Sequence, residues 1–208
     1  IGWLARYPVR SIAYLHFAIA LSAVLSIGWL ARLPLWVAAI YADAGLSFGE
    51  LIARQLVLVG ATILVPTFAM GALFPLVTEV LHRGKAAPGQ AVGSTYAANT
   101  WGTIAGSFVA GFALVPTIGM RATIALAAAL SAAVGVMWFV PALRARRPGA
   151  ALQAGVAVVL VALVAFAAPG WDRTILTSGP YLYGKTLAAQ IPAGGSPAQI
   201  VEAWTRKF

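Results

Sequence analysis

Cysteine is missing from the chain altogether, which excludes disulfide frameworks, thiolate metal centres and cysteine nucleophiles. Histidine occurs only as His16 and His82, too few to build a zinc site. Acidic residues are almost as scarce: Asp43, Glu50, Glu79, Asp172 and Glu202 lie on separate segments, so no pair of carboxylates is available for general acid and base work. Charge of either sign amounts to 9% of the residues, against roughly a quarter in ordinary soluble domains. A folded chain of 208 residues facing water needs a polar skin, and this one cannot supply it.

What is present is apolar. Hydrophobic residues make up 61% of the sequence and the mean hydropathy is +0.89. The net charge of +9 does not point to nucleic acid, because the basic residues sit between apolar runs rather than on one face among aromatic groups. Lys and Arg in that position hold helix ends at a membrane surface. The expected fold is all-α: a polytopic transmembrane helix bundle in residues 1–170, followed by a connector in 171–208. The lipid bilayer is its partner, and a bacterial inner membrane its multi-pass setting. The start at Ile1 rather than Met suggests an excerpt of a longer protein.

A hydrocarbon core about 30 Å thick takes about 20 helical residues to cross, and about five spans are expected. They run over Ser11–Leu30, closed by Arg32 and Pro34; Glu50–Leu81; Val92–Val115, stopped by Pro116 and Gly119; Ala122–Val140, ended by Pro141; and Ala151–Ala168. Leu35–Tyr41, with Trp36 and Tyr41, reads as an interfacial segment. Pro66 and Pro75 in the second span are expected bends, since proline removes a backbone donor and crowds the preceding turn. Gly194, Gly195, Ser196 and Pro197 read as a turn, and Ala198–Phe208 as the start of an amphipathic helix. With the N-terminus in the cytoplasm, Arg6, Arg10, Arg83, Lys85, Arg144, Arg146 and Arg147 lie inside and Arg32, Arg54 and Arg121 outside, the arrangement favoured by the positive-inside rule. Five crossings then put the tail from Trp171 outside.

The third span carries the main candidate site. Tyr96, Asn99, Thr103 and Gly106 recur every three or four residues and share one stripe, with Gly102 at its edge. Polar groups at membrane depth are costly, so the stripe faces another helix or a substrate path, and Gly102 with Gly106 forms a G-x-x-x-G that admits a close helix. Glu79 precedes Arg83 by one turn, and the pair reads either as an interfacial ion pair or as a coupling carboxylate with its neighbour. His16, beside Tyr14 and Phe17, reads as a packing histidine or as a titrating one. Arg144, Arg146 and Arg147 mark orientation or touch anionic lipid. No phosphate-binding loop, dinucleotide fingerprint or nucleophile elbow is present, so the chain offers no catalytic residues and implies no cofactor or metal.

Gly71-Ala72-Leu73-Phe74-Pro75-Leu76, then Val92-Gly93-Ser94-Thr95-Tyr96-Ala97-Ala98-Asn99-Thr100-Trp101-Gly102, then Gly106, Gly111, Pro116, Gly119 and Arg121, form an ordered pattern. It resembles the membrane region of fused major-facilitator-like transporter and spermidine synthase proteins. Trp171-Asp172-Arg173 with Leu176, Ser178, Gly179 and Tyr181-Leu182-Tyr183 is similar to the connector ahead of their aminopropyltransferase-like domain. The resemblance covers Leu64–Tyr183. It implies a parent protein whose soluble domain binds a decarboxylated S-adenosylmethionine-like donor and a polyamine, with this chain anchoring that domain and supplying or moving a small cationic, polyamine-like substrate. A purely structural anchor and a plain secondary transporter are the alternatives.

Overall fold

The computed structural model describes residues 7–42, 45–144, 149–167, 170–177, 179 and 199. Arg6, Asp43, Arg146, Arg147, Pro169, Ser178, Tyr181–Tyr183, the turn at Gly194–Pro197 and, apart from Gln199, the helix expected over Ala198–Phe208 lie outside the described residues. Every regular element among them is helical: α1 (Pro8–Ala42), α2 (Phe48–Arg83), α3 (Pro88–Phe108), a π-helical turn (Val109–Leu114), α4 (Val115–Arg144), α5 (Ala150–Ala167) and the short α6 (Arg173–Thr177). Three stretches are long and apolar enough to cross a membrane: Pro8–Tyr41, Phe48–Arg83 and Pro88–Pro141. The last holds two of the expected spans, and the apolar part of α5, Ala151–Ala162, is shorter.

Proline does less than expected at two places. The first span runs on through Pro34 to Ala42 instead of closing there, so Leu35–Tyr41 is not a separate interfacial segment. An internal proline costs about 3 kcal/mol. Contacts flank it on both sides: Trp29 and Trp36 meet edge to face at 4.4 Å, and Ala38 and Ile40 beyond it are buried. Likewise α4 continues through Pro141 to Arg144.

At Pro116 the backbone does respond. A proline in a regular helix would press its ring against the carbonyl four residues earlier, that of Phe112. Here the preceding turn widens to π geometry, with the Val115 N–H donating to the Ala110 carbonyl. Wide turns of this kind bend helices. Three residues later Gly119 takes φ 81°, ψ 161°, which divides α4 into two helices across a kink. That conformation is open essentially to glycine alone, which is why the expected stop at Gly119 falls where it does.

The helix ends are capped from the sequence. Ser47 Oγ and its N–H both donate to Glu50 Oε2, at 2.7 and 2.9 Å, while the Glu50 N–H reaches back to Ser47 Oγ at 3.4 Å. This capping box starts α2 and is worth about 1 kcal/mol. At the other end the Ala86 N–H donates to the Leu81 carbonyl and the Lys85 N–H to that of His82, a Schellman closure in which Lys85 occupies the left-handed position at φ 74°. Pro88 then opens α3 at the one site where its missing donor costs nothing.

The chain divides into two compact units: Ile1–Leu25 with Leu64–Ala167, and Ser26–Ile63 with Ala168–Phe208. The first has a core of Ala13, Phe17, Ala20 and Val24 from α1, Ala128, Ala132 and Phe139 from α4, and Ala154 and Val161 from α5. Its small residues let the helices approach closely, and Phe139 fills the remaining space, edge to face with Tyr14 at 5.5 Å and 6.0 Å from Phe17. Two polar bridges tie the same helices: the Tyr14 hydroxyl donates to Gln153 Oε1 at 2.8 Å, and Ser131 Oγ donates to the His16 carbonyl at 3.0 Å. In the second unit Trp171 Nε1 donates to the Ile27 carbonyl at 2.9 Å, and Gln55 Nε2 to the Tyr41 hydroxyl at 3.0 Å.

Gly135 is the closest point of the first core: an added Cβ would lie 3.2 Å from Phe17 Cζ and 3.3 Å from the Ala13 carbonyl oxygen. Gly135→Val is expected to destabilise the folded chain by about 1–3 kcal/mol, the cost of overpacking a filled interior. Denaturation in detergent followed by far-ultraviolet circular dichroism measures it, and an unshifted midpoint would mean that α1 and α4 do not meet there.

Candidate functional site

The stripe expected on the third span lies on α3, and all five of its residues face outward. Tyr96 is 65% exposed, Asn99, Gly102, Thr103 and Gly106 are exposed, and nothing lies within 4 Å of where a Cβ would stand on either glycine. The close helix approach that Gly102 and Gly106 permit is therefore not made among the described residues.

Thr103 does not bond across a helix pair as a packing stripe would have it. Its hydroxyl donates to the Asn99 carbonyl one turn back, at 2.8 Å. Thr62, Thr78, Thr95, Thr117 and Thr123 bond the same way, to Leu58, Phe74, Ala91, Ala113 and Gly119. Threonine in an apolar helix satisfies itself locally, so it carries little site information. Asn99 has no such recourse: its carboxamide makes no hydrogen bond among the described residues, on a helix flanked by exposed Val92, Trp101 and Ile104. It stands 11 residues from Pro88, roughly 16 Å along the axis of a helix long and apolar enough to cross a membrane.

Glu79 and Arg83 are brought together: Arg83 Nε donates to Glu79 Oε1 at 2.7 Å, with the two side chains half and two-fifths exposed. The pair occupies the last turn of α2, where a cation also complements the helix dipole. Pro66 and Pro75 both lie inside α2, leaving the carbonyls of Thr62 and Gly71 without their usual intrahelical donors. His16, half-buried in the first unit, has its Nδ1 3.2 Å from Ser131 Oγ. The same Ser131 Oγ lies 3.0 Å from the His16 carbonyl oxygen, so one serine touches both the ring and the backbone of His16. Arg144 ends α4.

Sequence reasoning missed three features. Ser131 and Gln153 are polar residues in apolar runs, a signal open to reading, but their partners lie far along the chain. The third is a groove of about 430 Å³ lined by Trp36, Ala39 and Ile40 of α1 and Ala53, Arg54, Val57 and Leu58 of α2. Among the described residues no three His, Asp or Glu side chains converge as a metal cage would require. Comparison of the chain with family models, curated proteins and solved structures gives no match.

An ion pair this exposed is worth at most about 0.5 kcal/mol on a helix surface. Glu79→Gln is therefore expected to leave the unfolding midpoint within that margin. A loss several times larger would assign the carboxylate an interior partner instead.

Proposed function

We propose that the chain is the transporter-like membrane half of a protein resembling the fused major-facilitator-like transporter and spermidine synthase proteins. In this reading it crosses a bacterial inner membrane five times, with the fold-back at Gly119 separating the third crossing from the fourth and the short α5 making the fifth. It anchors a soluble domain of the same parent and moves a small cationic, polyamine-like substrate along the α3 stripe. The observation that carries the reading is the exposed, unbonded Asn99 carboxamide on an apolar helix: facing lipid it would cost several kcal/mol, and facing a wet path it costs little. The Asn99 carbonyl oxygen accepts from an ammonium group, and the Tyr96 ring offers it a π face. Pro66 and Pro75 are the bending points of α2, and the glycines of α3 allow helices to rock past it.

Replacing Asn99 by Leu and Thr103 by Val in the full-length protein is expected to reduce polyamine flux into membrane vesicles roughly tenfold, the effect of one lost polar contact of about 1.4 kcal/mol. Unchanged flux would remove the transport reading.

A second reading, a structural anchor, is favoured by one feature: the open space beside Gly102 and Gly106 is the shape a second helix needs. It predicts that Gly102→Leu with Gly106→Leu shifts the oligomeric state seen by size exclusion with light scattering. It also predicts that the Asn99 and Thr103 replacements leave function intact.

A further inference from the structure

The groove between the second half of α1 and the first half of α2 lies outside the stripe and plays no part in the proposed transport path. We propose that it seats one zwitterionic aminophospholipid of the phosphatidylethanolamine class, with an acyl chain along the groove, the phosphate on Arg54 and the ammonium on Glu50.

The lining dictates the occupant. Trp36, Ala39, Ile40, Ala53, Val57 and Leu58 form an apolar channel, and Arg54 is the only charged residue among them. Its volume of about 430 Å³ falls within the roughly 300–1,000 Å³ of small-ligand sites. Ala39 and Ala53 are the small residues that leave the space, and Trp36 with Leu58 supplies broad wall. Water gains little from so apolar a surface, whereas a hydrocarbon chain fits it.

Depth and charge select the headgroup. Arg54 comes six residues after Phe48, roughly 9 Å along the axis from the start of α2, which places its guanidinium near the phosphate level while the groove continues toward the hydrocarbon. Gln55 and Tyr41 hold α1 and α2 together at the same level through a 3.0 Å hydrogen bond, so the mouth has a fixed width. A guanidinium has five donors in a fork suited to phosphate oxygens, and it can serve a phosphate while keeping contacts within the protein. Glu50 is exposed one turn before Arg54, near enough for the two charges to interact. Its Oε2 takes both bonds from Ser47, and its Oε1 accepts none among the described residues. The result is a cation and an anion side by side on one helix face, at the mouth of an apolar groove. That pattern mirrors a headgroup with a phosphate and a primary ammonium. A glycerol headgroup carries the same phosphate but offers Glu50 only neutral hydroxyls in place of a cation, and a choline headgroup would offer it no N–H.

The test uses the full chain in detergent, incubated with an equimolar mixture of dioleoyl phosphatidylethanolamine, phosphatidylcholine and phosphatidylglycerol, with retained lipid counted by native mass spectrometry. The ethanolamine lipid is expected to be retained roughly five- to tenfold over the other two. Arg54→Gln is expected to reduce its retention by a similar factor, and Arg54→Lys to keep part of it. Glu50→Gln preserves the capping box, since glutamine serves at that position, and is expected to erase the preference over the choline lipid. Val57→Trp, filling the groove, is expected to lower retention of all three. Equal retention of the three lipids, a preference for the glycerol lipid, or retention untouched by both Arg54→Gln and Glu50→Gln would each overturn the proposal.

Discussion

A backbone surrounded by hydrocarbon has no water to satisfy its N–H and C=O groups, and each one left open costs several kcal/mol. That constraint bears on the three stretches long and apolar enough to cross a membrane. It explains why all regular structure among the described residues is helical, why threonine after threonine turns its hydroxyl back onto its own helix, and why α2 starts with a reciprocal side-chain cap. It also sets how the helices meet. Lipid is as apolar as leucine, so hydrophobicity gives helices no reason to associate. The first core accordingly uses what remains: close approach at alanine and Gly135, shape filling by Phe139, and side-chain bonds from Ser131 and Tyr14.

Much of the helical layout was legible. Long apolar runs ending in Arg, Gly or Pro placed α2 and α5 within about a turn of their observed bounds, which is the usual uncertainty of helix ends, whereas the expected span Val92–Val115 starts about a turn inside α3 and takes in the π turn that follows it. Gly119 was readable as a stop because only glycine tolerates the conformation that breaks α4. Pro34 and Pro141 misled for a physical reason: a proline removes one bond and strains one turn, a local cost that a long helix can absorb, as α1 does at Pro34 with Ala38 and Ile40 buried beyond it. The π turn before Pro116 was not legible, since it is one of several ways a helix can accommodate the ring. The Ser47-x-x-Glu50 cap was a readable signature that the search for apolar runs passed over.

The candidate site was legible in part. Helical periodicity puts Tyr96, Asn99, Thr103 and Gly106 on one stripe, and all four are exposed on α3, as are nearly all their neighbours. Periodicity carries no information on what faces a helix, so it could not separate Thr103, bonded to its own backbone, from Asn99, which is not. Pairs such as His16 with Ser131 or Tyr14 with Gln153 join positions more than a hundred residues apart, and nothing local to either partner announces the other. The groove beside Arg54 is hidden for a similar reason: its walls come from two helices, with small residues, Ala39 and Ala53, contributed by each.

The hydrogen bond from Trp171 to the Ile27 carbonyl has a mechanical meaning. Ile27 lies near the middle of α1, so Trp171 is pinned to the flank of the first helix rather than to one of its ends. A tug on the polypeptide at Trp171 is transmitted sideways to that helix, and a shift of α1 in turn drags Trp171 with it. The indole thus works as a rivet between Trp171 and the first helix.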